Sequence, residues 1–187
     1  MYETSDIRKG LRIEMDETPF QVIEFQFVNP GKGSAFTRTK IRNMITGAVL
    51  DRTFKTGEKL APADTEDRTM QYLYTDGSEF YFMDNKNYEQ IGLTEEIVGD
   101  ASNYLIENME VTISFFKSKS IGLTLPNFVV MEVIETSPGE KGNTVTGATK
   151  PASLPTGYTV NVPLFIKVGE LLKIDTRTGA YVERVKS

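Results

Sequence analysis

Residues 19–41 decide the fold: Pro19-Phe-Gln-Val-Ile-Glu-Phe-Gln-Phe-Val28, then Asn29-Pro30-Gly31-Lys32-Gly33, then Ser34-Ala-Phe-Thr-Arg-Thr-Lys-Ile41. Two runs of strand-forming residues flank a Pro-Gly reversal, the pattern of a long β-hairpin. At ~3.3 Å per residue, an arm of eight or nine residues holds its tip roughly 25–30 Å from its root. Lys32 therefore projects into solvent between two glycines, where the missing Cβ atoms leave room for a close partner. Local chemistry alone favours a plainer reading, a polar turn whose lysine discourages edge-to-edge pairing. A phosphate-binding P-loop is a poor third, because Gly33 stands where that motif needs Ser or Thr after the lysine.

Alternation gives the second arm two distinct faces. Phe36, Arg38, Lys40 and Arg42 share one, while Ala35, Thr37, Thr39 and Ile41 share the other. Arg38, Lys40 and Arg42 thus form a basic stripe leading to the tip, suited to RNA phosphates; a solvated strand face accounts for the same charges equally well.

Composition excludes several chemistries. The 187 residues include no His, Cys or Trp. Ser-His relays, thiol nucleophiles and zinc sites with N or S ligands are ruled out with them. Carboxylate catalysis or a carboxylate-held Mg²⁺ remains formally open. Yet Glu95 and Glu96 are adjacent at a helix start, and Glu132 and Glu135 fall on opposite faces of a strand, so neither pair has acid/base geometry. No metal or other cofactor is expected, and no enzyme activity. The start, Met1-Tyr2-Glu3-Thr4-Ser5-Asp6, has no basic-then-apolar signal pattern, and no apolar run approaches a membrane span. A soluble cytoplasmic protein with no membrane contact is expected.

Punctuation divides the chain into three units of about sixty residues, a size that can fold alone. Ala61-Pro62-Ala63-Asp64 closes the first and Pro126-Asn127 the second, giving units at 1–63, 64–126 and 127–187. Their net charges are +2, −8 and +1. In the middle unit Tyr72, Tyr74, Phe80, Tyr81 and Phe82 surround an Asp76-Gly77 turn; most are assigned to its core, although exposed aromatics on a small barrel also stack bases. Thr94 to Asn108 has helical spacing, with Gly99 a point where it can split. The third unit is strand-rich apart from a polar stretch, residues 137–157, which reads as a long surface loop, either functional or a flexible excursion.

Taken together, these segments resemble the bacterial translation elongation factor P family over the whole chain. The resemblance rests on Pro30-Gly31-Lys32-Gly33 followed by Ser34-Ala35-Phe36, and on Arg42-Asn43-Met44-Ile45-Thr46-Gly47 leading to Arg52-Thr53-Phe54-Lys55. It also rests on Lys150-Pro-Ala-Ser-Leu-Pro-Thr-Gly157 and Asp175-Thr-Arg-Thr-Gly-Ala-Tyr181. It implies an all-β protein of three small barrels in an L shape, an SH3-like barrel followed by two OB-folds. It further implies a monomeric factor that contacts both ribosomal subunits between the P and E sites and relieves stalling at consecutive prolines. Lys32 would hold the CCA end of the P-site peptidyl-tRNA in a productive geometry, with Pro30, Gly31 and Gly33 shaping the tip. Many relatives extend this lysine covalently, so a lysine-modifying enzyme is an expected partner. Ser34 stands where a subset of relatives has Pro. Gly142, Asn143 and Thr144 match an element that approaches the exit-site codon, where Asn143 replaces a common Asp and its charge. Two other readings are a paralogue of the factor with a different stall spectrum and a general single-strand RNA-binding OB protein, the latter disfavoured by the net charge of −5.

Overall fold

The computed structural model describes residues 1–139 and 148–186. Strands dominate, and the fold is all-β. By proximity the chain forms two compact units, residues 1–68 with 113–122, and residues 69–112 with 123–187.

The first unit is built on β1 (Tyr2–Glu3), β2 (Arg12–Met15), β3 (Thr18–Val28), β4 (Phe36–Asn43), β5 (Val49–Lys55) and β6 (Lys59–Pro62). They join in the order β1-β6-β2-β3-β4-β5, each neighbour antiparallel. β-branched residues at alternate positions explain β4: Thr37, Thr39 and Ile41 are buried while Arg38, Lys40 and Arg42 are exposed. Ile41 joins Ile7, Ile13, Phe20, Val22, Phe54 and Leu60 in one apolar core. Each such side chain fully removed from water contributes about 1.5–3 kcal/mol. Residues 65–68 and 113–122 are tied to this unit by a bidentate Arg12–Asp67 pair at 2.9 and 3.0 Å, by Ser114 donating to Asp67, and by Lys117 to Glu14 at 3.3 Å.

A five-stranded sheet follows in sequence, formed by β7 (Thr65–Thr75), β8 (Glu79–Asp84), β9 (Gln90–Thr94), β10 (Glu110–Phe116) and β11 (Lys119–Thr124), in the order β11-β10-β7-β8-β9. Tyr72 and Phe82 are buried and Phe80 and Tyr81 partly so, as expected for most of the aromatics. Tyr74 departs from that pattern: it is exposed and stacks on Tyr81 at 4.9 Å. The turn between them is held by the Asp76 carboxylate, which accepts from the Ser78 and Glu79 amides and from the Tyr81 hydroxyl.

The helix expected over 94–108 is shorter. α1 covers Glu95–Val98, and a 3-10 turn covers Gly99–Asn103. Gly99 has φ 54° and ψ −139°, a conformation that ends the α-helix and that only glycine adopts readily.

The C-terminal strands are β12 (Phe128–Glu132), β13 (Glu135–Thr136), β14 (Thr149–Ser153), β15 (Thr159–Pro163), β16 (Leu171–Asp175) and β17 (Ala180–Val185), in two sheets ordered β12-β16-β17 and β13-β14-β15. Val129, Met131, Ala152, Leu154, Val160, Val162, Leu172 and Ile174 interlock between the sheets. Here the sequence reading needs correction, since 137–157 is not one loop: β14 lies inside it, paired on both sides. Lys150, Ala152 and Leu154 are all buried, and the Lys150 ammonium donates to the Ser137 carbonyl. Among the described residues no helix is long and apolar enough to cross a membrane.

Candidate nucleic-acid interface

The predicted hairpin is the β3–β4 pair. Its last rung is Val28 opposite Phe36, so residues 29–35 form the tip. The chain reverses there with Gly33 at φ 99°, where an L side chain is strained; Gly31 has no such requirement. A Cβ built at either glycine meets nothing within 4 Å, so the space beside Lys32 is open. Lys32 is exposed, and among the described residues no hydrogen bond or ion pair engages its amine. The root of the tip is fixed by Thr56, whose amide and hydroxyl both donate to the Ala35 carbonyl at 3.2 and 2.9 Å.

The basic stripe is placed as alternation implied, but its members differ. Lys40 stands opposite Glu24 on β3 and Asp51 on β5, with its amine 4.0 Å from the Glu24 carboxylate, so much of its charge is answered at home. That pairing depends on a β-bulge at Ile23, which lets Glu24 rather than Ile23 face Lys40. Arg38 faces Gln26 and Thr53, and Arg42 faces Gln21 and Val49. Among the described residues neither guanidinium has a carboxylate partner. Arg38 lies 5.4 Å from the centroid of the Phe36 ring. Lys55 is no part of the stripe expected from alternation along the second arm, yet the register puts it opposite Phe36. With Ser34, Ala35, Phe36, Arg38 and Thr53 it lines an open groove of about 450 Å³ at the root of the tip. An aromatic ring between two cations in such a groove suits a nucleotide, with stacking for the base and charge for the phosphate.

Glu95, Glu96, Glu132 and Glu135 are all exposed. No group of three or more carboxylates among the described residues is placed to hold a metal ion. The perturbed groups lie away from the arm. The hydrogen bond to Asp76 pushes the Tyr81 hydroxyl up to about 12, and burial pushes Tyr104 up to about 12. The arm thus offers charge, aromatic surface and reach rather than proton transfer. Gly142, Asn143 and Thr144 lie outside the described residues.

Three profiles of one family match the chain in order. They are described as the elongation factor P KOW-like domain at residues 3–60, the elongation factor P OB domain at 65–123, and elongation factor P, C-terminal, at 129–184. Elongation factor P of Carboxydothermus hydrogenoformans is 55% identical over 185 residues, covering 99% of this chain and 100% of its own length. Elongation factor P 2 of Geobacter sulfurreducens is 52% identical over 186 residues, covering 100% of both. Among solved structures, a eukaryotic translation initiation factor 5A from Methanococcus jannaschii aligns with a TM-score of 0.53 at 20% identity, over 66% of this chain and 91% of that one, a likeness of fold.

Proposed function

Because the chain belongs to the elongation factor P family and is a translation elongation factor, we propose that it binds the ribosome between the P and E sites and stimulates peptide-bond formation at consecutive prolines. Proline is a poor participant in that step, since its ring fixes φ and makes its nitrogen a constrained secondary amine. Lys32 reaches the CCA end of the P-site peptidyl-tRNA and restricts it to reactive orientations. The ribosome supplies the chemistry, and the factor supplies position.

The observation that carries this reading is the free amine of Lys32 at the end of an arm 11 residues long on one side and 8 on the other. Arg38, Arg42 and Lys55 support it as phosphate contacts; Lys40 contributes less because Glu24 and Asp51 flank it. The chain works as three modules, 1–63, 64–126 and 127–187, in the cytoplasm and as a monomer. The open space around Gly31 and Gly33 admits an enzyme that extends the Lys32 amine. Gly142, Asn143 and Thr144 approach the exit-site codon.

Two measurements test the reading. In a reconstituted system translating a polyproline template, Lys32→Ala should lose relief of stalling while its thermal unfolding midpoint stays that of the parent protein. Full relief by Lys32→Ala overturns it. Mass spectrometry of the native tryptic peptide containing residue 32 separates an extended lysine from a bare one.

A further inference from the structure

The arm has a second face, turned away from Arg38 and Arg42. Directly opposed strand residues share a face. Two rungs therefore run across it: Phe25, Thr39 and Arg52, then Phe27, Thr37 and Phe54. This face continues the barrel core, since Thr37 and Thr39 are 3% and 4% exposed and Phe54 only 2%. Phe25 and Phe27 break the pattern at 48% and 62% exposed. They occupy core-facing positions on a strand that has run out past its core. The Arg52 guanidinium lies 5.5 Å from the Phe54 ring centroid, which brings a cation to the same face.

Charge decides what covers these rings. Residues 25–39 and 52–57, the distal arm and its neighbouring strand, contain Lys32, Arg38, Arg52 and Lys55 and no carboxylate. A surface that pairs apolar rings with unopposed cations is matched by a ligand with flat faces and negative charge. Unpaired nucleotides have both. Successive residues on one face of a strand stand about 6.6–7 Å apart, close to twice the spacing of stacked bases.

We propose that Phe25 and Phe27 form a stacking platform for unpaired RNA bases, with Arg52 supplying the charge beside them. The arm is then held from both sides, by phosphates along Arg38 and Arg42 and by bases on the phenyl rings. This inference rests on the reading of the arm as an RNA-contacting finger and adds a recognition element to it.

The test is a titration of the full-length protein, labelled at its phenylalanine rings and its backbone amides, followed by NMR. Tetra-adenylate, a single-stranded stacking probe, should move the Phe25 and Phe27 ring protons upfield and saturate. Tripolyphosphate, which carries charge without bases, should shift only the amides of the basic stripe. Replacing both rings by Leu should weaken tetra-adenylate binding about tenfold, the loss that accompanies ~1.4 kcal/mol of stacking. Replacing both by Tyr should hold affinity within about twofold. All these side chains are exposed, and unchanged thermal midpoints confirm that the variants fold. If tetra-adenylate moves the Arg38 and Arg42 amides but not the phenyl rings, the platform is wrong and the RNA-contacting arm stands. Leu variants that bind as well as the parent also overturn the platform and point to apolar packing against a protein. A chain in which nothing moves at millimolar probe defeats both ideas.

Discussion

Gly31 and Gly33 flank the same lysine, yet only one of them is demanded by the backbone. Gly33 holds φ 99°, so Gly33→Ala should cost on the order of 1 kcal/mol in urea denaturation. Gly31 carries no such constraint and a Cβ there meets nothing, so Gly31→Ala should leave stability within about 0.5 kcal/mol. Any loss of polyproline relief in Gly31→Ala then reports crowding of the approach to Lys32. Asp67 gives a second expectation at this scale. Its hydrogen bonds from Arg12 hold its carboxyl below the ordinary value of 3.8 against the opposing effect of burial, with Ser114 adding to the lowering. A carboxylate with a depressed folded pKa stabilises the fold above its unfolded pKa and loses that contribution as pH falls through the folded value. Asp67→Asn should therefore be less stable than the parent by on the order of 1 kcal/mol between pH 5 and 7, a figure kept small because the side chain is 41% exposed. The difference should shrink below pH 4, as followed by thermal denaturation across that range.

Elements differed in how much of themselves they displayed in sequence. The β3–β4 hairpin was legible because alternation, β-branched residues and Pro-Gly punctuation all agree, and Lys32 was legible with it. β14 was not. Pro151 and Ser153 read as loop, and a lysine sits at a position where the buried pattern calls for an apolar residue. Lys150 is tolerated there because its amine finds the Ser137 carbonyl while its stem packs in the core. Lys150→Met keeps the stem and removes the donor; Ser137 is exposed, so water replaces the lost partner of its carbonyl. The substitution should destabilise the protein by about 0.5–1.5 kcal/mol in urea denaturation. The helix at 95–103 was foreshadowed by Gly99 but ended sooner than its apolar spacing suggested. Exposure of Phe25 and Phe27 could not have been read in advance, since a strand that overshoots its core has the same pattern as one that does not. Partial neutralisation of Lys40 was hidden for a related reason. Its partners are 16 and 11 residues away in sequence, and a bulge chooses which β3 residue meets it.

For the molecule as a whole, net charge is a poor guide to what it binds. The chain carries −5, yet residues 25–39 and 52–57, at the distal arm and the end of the strand beside it, hold four cations and no acid. On the proposed reading of the arm, affinity for single-stranded RNA should fall with salt at a log–log slope of about −3.5, set by those four and Arg42 at ~0.7 each rather than by the total. Fluorescence anisotropy across a KCl series reads the slope, and a value near zero would place the contact elsewhere on the chain. One extra residue in β3 has a consequence out of proportion to its size. Ile23 sits unpaired between Val22 and Glu24 and bends the strand at the base of the arm. About eight residues separate it from Gly31, roughly 26 Å of leverage. A change of about 10° at that pivot sweeps the lysine through some ~4–5 Å, more than the length of a hydrogen bond. Trimming Ile23 would keep every partner across the ladder and still swing the fingertip off target.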